Sequence, residues 1–131
     1  MANVKLTEEF FPGQYEFNNR DWHVAAWEAP SGSGITCMVG CHHYPFTSTA
    51  IRGLSNVGEA ETAASNLTTF AEIVSEFNEG HPSYNMTFEP VDPLAGIFHV
   101  RATDSRNGAQ YGWADFESIA EFREFLSETP W

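Results

Sequence analysis

The sequence predicts a single α+β domain over residues 1–131, in which a mostly antiparallel sheet of about six strands carries two helices on one face. At 131 residues, the chain has the length of one domain. Several short segments alternate apolar and polar residues, as strands do, whereas two segments repeat apolar residues at helical spacing. Turn-forming residues separate them in the order three strands, helix, three strands, helix.

Three strands are predicted in the first part of the chain: Gln14–Phe17, Trp22–Glu28, and Ile35 to about Tyr44. The strand Trp22–Glu28 carries apolar residues on both faces, which predicts a central position in the sheet. Residues 45–64 show no clear period. They are predicted to form a long crossover or a loop with a short helical turn.

The apolar residues of the first predicted helix recur at spacings of three, four and three, which places them on one face. They are Leu67, Phe70, Val74 and Phe77. Ser65 or Asn66 is predicted to cap this helix at its start, and Gly80 followed by Pro82 is predicted to end it.

The last part of the chain contains three more predicted strands and a second helix. The strands are Tyr84–Glu89, Ile97–Thr103 and Ala109–Ala114, and a turn over residues 90–93 separates the first two. Asp115 is predicted to cap the last helix. The apolar face of that helix consists of Ile119, Phe122, Phe125 and Leu126.

The charge of the chain excludes several classes of partner. Eighteen acidic residues against six basic ones give a formal net charge of -12. Direct nucleic-acid binding and anionic membrane surfaces are excluded, because both depend on Lys and Arg, whereas a basic protein is attracted. No apolar run reaches the roughly 18–20 residues of a membrane span, and no signal peptide is recognisable. We therefore expect a cytoplasmic protein.

The two cysteines, Cys37 and Cys41, lie in one predicted strand. Strand geometry separates their Cα atoms by about 13 Å, whereas a disulfide requires about 7 Å or less. Both are therefore predicted to be free thiols. The cluster formed by these cysteines with His42 and His43 lacks the second ligand pair of a structural zinc site, so we expect no metal and no cofactor.

No catalytic motif occurs in the sequence, and we expect no enzymatic activity. Two possible acid–base pairs are His23 with Asp21 and His99 with Arg101. Aromatic residues on the strands either pack in the core or line a pocket for a small ligand. They are Trp22, Trp27, Tyr84, Phe88, Phe98, Tyr111 and Trp113.

Two acidic stripes lie opposite the apolar faces of the predicted helices. On the first helix they are Glu72, Glu76 and Glu79. On the last helix they are Glu117, Glu121, Glu124 and Glu128. Like charges at this spacing cost ~0.2–0.5 kcal/mol per pair in an isolated helix. The stripes are either solvated faces or binding surfaces for a basic partner, and these seven glutamates are the predicted partner-binding residues.

Five segments carry a family resemblance: Asn19–Trp22 (NRDW), the helix Leu67–Phe77, Met86–Glu89 (MTFE), Gly96–Val100 (GIFHV) and Phe122–Leu126 (FREFL). In this order they resemble the small immunity proteins of bacterial polymorphic toxin systems, notably the WapI-like group. The resemblance implies a cytoplasmic, non-catalytic protein that binds a cognate toxin domain, frequently a nuclease. Residues 37–64 lie outside the resemblance.

We therefore expect a non-catalytic acidic inhibitor or immunity protein that binds a basic partner, a toxin or nuclease domain. Its carboxylates would occupy the cationic groove that the partner uses for phosphates. Two alternatives stay open. One is a phage-encoded inhibitor of a host nuclease or defence complex, and the other is a small-ligand-binding or enzymatic α+β domain.

Overall fold

The computed structural model describes residues 4–8, 14–18, 21–29, 32–41 and 48–131, which form two antiparallel sheets and two helices. The first sheet has the strand order β1-β2-β3-β4-β5, with β1 Thr7–Glu8, β2 Gln14–Asn18, β3 Trp22–Glu28, β4 Ile35–Cys41 and β5 Ser48–Leu54. The second sheet has the order β6-β7-β8, with β6 Tyr84–Asp92, β7 Ile97–Asp104 and β8 Gln110–Phe116. The helices are α1 Val57–Gly80 and α2 Ile119–Glu128.

The predicted α+β class, with antiparallel strands and two helices, is confirmed, but the prediction of one sheet is wrong. The described strands form separate sheets of five and three strands. Helix α1 packs against β3, β4 and β5 of the first sheet and against β6 of the second. Helix α2 packs against β8 of the second sheet. Both sheets bury apolar residues in one core cluster, so they meet through side chains rather than through a shared backbone ladder.

The segment 45–64 is more regular than its sequence indicates. Strand β5 occupies Ser48–Leu54, and α1 begins at Val57, so neither a loop nor a short helical turn describes the whole segment. In β5 only Ile51 and Leu54 are buried, because it is an edge strand with mostly small and polar residues. A register shift between β4 and β5 further weakens the apolar alternation. Residues 42–47, including the end of the predicted third strand, lie outside the described residues.

Helix α1 begins more than two turns before the predicted cap. Asn56 is the N-cap, and its Oδ1 accepts a hydrogen bond from the backbone N–H of Glu59 at 2.9 Å. The carboxylate of Glu59 accepts a hydrogen bond from the backbone N–H of Ser55 at 2.9 Å. This reciprocal arrangement is a capping box, which satisfies two backbone donors that the helix cannot satisfy itself. The predicted end at Gly80 is confirmed.

Ser65 and Asn66, the predicted caps, instead tie other segments to the middle of α1. The backbone N–H of Val4 donates to Ser65 Oγ at 3.0 Å. The side-chain amide of Asn66 donates to the carbonyl oxygen of Pro93 at 2.9 Å, which holds the β6–β7 turn against the helix. Polar residues in the interior of a helix can thus serve as long-range hydrogen-bond donors and acceptors rather than caps.

Helix α2 repeats the capping box of α1. Ser118 is its N-cap and accepts a hydrogen bond from the backbone N–H of Glu121 at 3.1 Å. The Glu121 carboxylate accepts from the backbone N–H of Glu117 at 3.0 Å. The prediction that Asp115 caps this helix is therefore wrong, since Asp115 belongs to β8 and pairs with His99 of β7.

Phe70 of α1 is fully buried and joins three elements of the core. Its ring stacks on Phe98 of β7 with centroids 4.1 Å apart and on Phe122 of α2 with centroids 4.3 Å apart. Phe88 of β6 contacts the same ring at 5.2 Å. The apolar stripe predicted on this helix is buried as expected, and it fixes the second sheet and α2 against α1.

The free-thiol prediction is confirmed, since Cys37 and Cys41 are free cysteines of β4. Cys37 is completely buried, and loss of hydration raises the pKa of its thiol to about 11. Burial therefore keeps this sulfur in the protonated, poorly nucleophilic form. Neither α1 nor α2 has the length and apolar content that a helix needs to cross a membrane.

We expect Phe70→Ala to lower the free energy of unfolding by about 3–5 kcal/mol, because it removes a buried ring that three elements share. Urea denaturation followed by tryptophan fluorescence measures this change. Val91→Ala is the control, since Val91 is exposed on β6, and we expect it to change the unfolding free energy by less than about 1 kcal/mol. A similar effect of both substitutions would contradict the central role of Phe70.

Candidate partner-binding site

The four glutamates predicted on the last helix form one exposed line in the structure. Glu117 precedes α2, and Glu121, Glu124 and Glu128 lie along it. Among the described residues, no ion pair involves these four side chains, and the last turn of α2 contains no basic residue. Glu121 has a structural role as well, because it completes the capping box. The line is therefore a concentrated and largely uncompensated negative surface.

The acidic residues predicted on the first helix are less uniformly available. Glu76 and Glu79 are exposed near the C-terminal end of α1, whereas Glu72 is half-buried. Closer to the start of the helix, the same face is covered by the segment that contains Val4 and Lys5, and Lys5 pairs with Glu61 at 3.6 Å. We therefore regard α2 as the principal acidic surface.

An apolar groove of about 210 Å³ opens between β8 and α2. The strands contribute the small residues Ala102, Gly112 and Ala114, which leave room above the sheet. The aromatic rings of Tyr111, Phe125 and Trp131 also line the groove. Such a combination of small and aromatic side chains creates a cavity that an apolar side chain of a ligand or partner can fill.

Tyr111 is held in place although its side chain is 55% exposed. Its hydroxyl donates a hydrogen bond to a carboxylate oxygen of Asp104 at 2.9 Å. Arg106 donates to both oxygens of the same carboxylate, from Nε at 3.2 Å and from the terminal nitrogen at 3.0 Å. These hydrogen bonds, those of Arg106 above all, hold the pKa of Asp104 well below its usual range. They make Tyr111 a fixed wall of the groove.

Two glutamates of the acidic line, Glu121 and Glu128, lie on the side of α2 that carries the groove-lining Phe125. Phe125 lines the groove, and at about 100° per residue Glu121 and Glu128 lie about 40° and 60° around the helix from it. By the same helical geometry, Arg123 lies about 160° around the helix from Phe125, on the side away from the groove. The groove thus has an apolar interior and a negatively charged rim on the α2 side. This arrangement favours an apolar group that is flanked by positive charge.

The face of the second sheet that points away from the groove carries a polar cluster. The sequence predicted only two of its members, His99 and Arg101. His99 Nδ1 lies 2.5 Å from Asp115 Oδ1, and Arg101 Nε lies 3.4 Å from His99 Nε2. Trp113 contacts the same imidazole with ring centroids 5.6 Å apart. Both nitrogens of His99 are thereby engaged, Nδ1 as donor and Nε2 as acceptor, so the cluster orients side chains across β7 and β8. The sequence paired His99 with Arg101, but Asp115 comes from strand pairing.

The other residues that the sequence suggested for metal binding or for a ligand pocket do not form a single site in the described structure. Among the described residues, no three His, Cys, Asp or Glu side chains come together as metal ligands. His42 and His43 of the cysteine–histidine cluster lie outside the described residues. The aromatic set is divided, because Trp22 and Phe98 are buried in the core, Tyr111 lines the groove, and the Trp113 ring lies beside His99 on the other face of the sheet.

No protein-family model, curated protein or solved structure matches this chain. Its function is therefore inferred from the charge of α2 and the shape of the adjoining groove.

We expect Asp104→Asn to lower the melting temperature at neutral pH, with a difference from wild type that shrinks as the pH falls below about 4. The native pKa of Asp104 lies below its ordinary value of 3.8, so ionised Asp104 stabilises the fold above that value. This stabilisation disappears as the pH falls towards the native pKa. Thermal denaturation of both proteins between about pH 3 and pH 7 tests this.

Glu89→Gln is the control for the pH series, because Glu89 is an exposed carboxylate of β6. We expect its melting temperature to follow that of wild type across the series. A deficit of Asp104→Asn that is the same at every pH would mean that the ionised carboxylate does not hold the β7–β8 turn.

Proposed function

We propose that the chain is a non-catalytic binding protein that neutralises a basic protein partner, most specifically a nuclease-type toxin domain. The observation that carries the proposal is the line of exposed glutamates on α2, two of which lie on the groove side of the helix, in a chain of net charge -12. The charge supplies attraction at a distance, and the groove supplies a place for an apolar anchor.

The position of the charges supports a role in binding rather than in folding. Glu128 lies at the C-terminal end of α2, where the helix dipole disfavours negative charge by ~0.3–1 kcal/mol. Glu124 and Glu128 also repel each other at a spacing of four residues. The buried contacts of Phe122 do not use these carboxylates. A cationic partner would relieve this repulsion on binding.

A nuclease domain is the partner class that fits this surface best. An enzyme that acts on nucleic acid must present Lys and Arg to phosphates, and a line of carboxylates can occupy the same cationic groove. Opposite fields also accelerate association, which matters when a toxin has to be stopped quickly. The resemblance of the sequence to immunity proteins supports the same class. A phage-encoded inhibitor of a nuclease would use the same surface.

The groove also favours a second candidate, a small-ligand-binding protein. Its volume of about 210 Å³ and its aromatic lining suit a small apolar molecule. The acidic rim is not required for such a ligand, whereas it is required for a basic partner. Substitution of the rim therefore separates the two candidates.

Three triple variants, each with three Glu→Gln changes, test the proposal. The first changes Glu121, Glu124 and Glu128 of α2, the second changes Glu72, Glu76 and Glu79 of α1, and the third changes Glu16, Glu28 and Glu89 on the strands. Glutamine keeps the oxygen that caps α2, so we expect the unfolding free energy of the α2 variant to be unchanged or slightly raised.

Wild type and variants are immobilised, and the proteins that each retains from a lysate of the encoding organism are identified. We expect wild type to retain a basic protein that salt releases, and the α2 variant to bind it roughly tenfold more weakly, mainly through slower association. We expect the strand variant to bind it like wild type. Purified chain should block nucleic-acid cleavage by the retained protein at equimolar concentration.

Equal retention by all three variants, without sensitivity to salt, would mean that the acidic line is only a solvated face. Loss of binding in the α1 variant alone would move the interface to the other acidic set. A retained basic protein without inhibited nuclease activity would leave a binding protein but remove the nuclease toxin as its partner.

A further inference from the structure

The outer edge of β8 is unusually poorly protected for a chain of this charge. Strand β8 reads QYGWADF and contains no proline, and its single charged residue, Asp115, is paired with His99 of β7. Tyr111 and Trp113 are 55% and 64% exposed. In the described part of the chain, no other backbone segment pairs with this edge. Exposed edge strands ordinarily carry charges, prolines or coverings that prevent further pairing, so an open edge indicates a docking position.

The opposite edge of the same sheet is protected in three ways. The side-chain amide of Asn78 in α1 donates to the carbonyl oxygen of Met86 at 2.9 Å and accepts from its N–H at 2.8 Å, as a neighbouring strand would. Pro90 removes one backbone donor of β6, and Glu89 adds a charge. The contrast within a single small sheet shows that the open edge of β8 is not a general feature of this fold.

The pairing of the strands establishes which backbone groups of β8 point outward. Hydrogen-bonded and non-hydrogen-bonded pairs alternate along an antiparallel ladder. The backbone groups of Met86 point away from β7, so those of its partner Ala102 point towards β8, where they meet Gly112. The groups of the next residue, Trp113, therefore point away from β7. Its N–H and C=O are directed outward at the side where the groove opens.

We propose that the β8 edge accepts an extended segment of the basic partner as an additional strand. The segment places an apolar side chain in the groove, and its Lys or Arg side chains lie beside Glu121 and Glu128. The inference rests on the proposed function and adds the mode of binding. Backbone hydrogen bonds from Trp113 set the register, and the groove and the acidic rim select the sequence of the segment.

Charge complementarity favours a basic segment over a second copy of this chain. A second copy that paired through its own β8 would bring its acidic α2 and a net charge of -12 to the interface. Like charges placed together disfavour such a complex. A basic segment would instead neutralise the rim while it fills the apolar groove.

A synthetic peptide provides a defined probe that needs no knowledge of the natural partner. The peptide is Lys-Thr-Val-Thr-Leu-Thr-Val-Thr-Lys, acetylated, amidated and labelled with fluorescein. In an extended conformation, one face carries the apolar residues flanked by both lysines. Two further versions are N-methylated, one at the threonines and one at the valines and leucine. Only one of these versions removes the N–H groups that face β8.

Two substitutions of Trp113 distinguish the contribution of the β8 backbone to binding from that of the indole side chain. Trp113→Thr removes the indole and keeps the N–H, whereas Trp113→Pro also removes the outward N–H without removing a hydrogen bond to β7. Fluorescence anisotropy measures the affinity of each peptide for wild type, both variants and the α2 Glu→Gln variant. Hydrogen exchange locates the bound peptide.

We expect the parent peptide to bind wild type and one N-methylated version to bind roughly tenfold or more weakly, while the other binds like the parent. Trp113→Pro should weaken binding well beyond the effect of Trp113→Thr, and amide exchange should slow at Trp113 and Asp115. If Trp113→Pro does not fold, the pair of N-methylated peptides gives the same information with the unaltered protein.

Equal binding of both N-methylated peptides, or slowed exchange at another strand such as β5, would overturn docking at β8. Binding that is lost only in the α2 variant would also overturn it, but would leave the acidic surface and the proposed function intact. A concentration-dependent dimer of wild type that Trp113→Pro abolishes would identify a second copy as the occupant instead. Absence of peptide binding, together with retention of a basic protein from the lysate, would again overturn only the β8 inference.

Discussion

The packing of Phe70 against Phe98 and Phe122 is the contact on which the remaining architecture depends. It fastens the second sheet and α2 to the middle of α1, which also packs on the first sheet. With α2 held there, Trp131 reaches Phe77 of α1, with ring centroids 4.6 Å apart. The groove exists because α2 and Trp131 cover only part of a sheet whose residues at this point are small.

Charge and apolar surface serve different purposes in this site. In the proposed complex, the carboxylates on α2 would act over the distance of a Debye length, about 8 Å at physiological ionic strength, and would bring a basic partner to this side of the molecule. They contribute little selectivity by themselves, because any cationic surface is attracted. In the same proposal the groove would discriminate by shape, and the hydrogen bonds of Asp104 with Arg106 and Tyr111 hold one of its walls in place. Preorganisation of this kind reduces the entropy lost on binding.

The two edges of the second sheet show how one fold can protect and expose backbone at once. At the β6 edge, the side chain of Asn78 in α1 supplies a hydrogen-bond donor and an acceptor to the backbone of Met86. Helix α1 is already required for the core. At the β8 edge, α2 lies beside the face of the sheet, and no described strand pairs with the edge itself. The same placement of α2 creates the acidic rim. Core packing therefore also sets the geometry of the proposed docking position.

Local sequence determined most of the elements but not how they meet. The bounds of β3 were predicted from an apolar segment between turn-forming residues, and the α1 stripe around Phe70 from its helical spacing, because both signals arise from neighbouring residues. Both capping boxes, Asn56 with Glu59 and Ser118 with Glu121, are also visible in the sequence, so the misplaced helix starts were avoidable. The exposure of the α2 glutamates likewise followed from helical periodicity.

Only the tertiary structure decided that the strands form two sheets, that His99 meets Asp115, and that β8 and α2 enclose a groove. Each of these depends on which distant segments pair, and a periodic pattern specifies the buried face of a strand without specifying its neighbour. The partition into two sheets was decided by α1, because its packing on both sheets leaves β5 and β6 in different ladders.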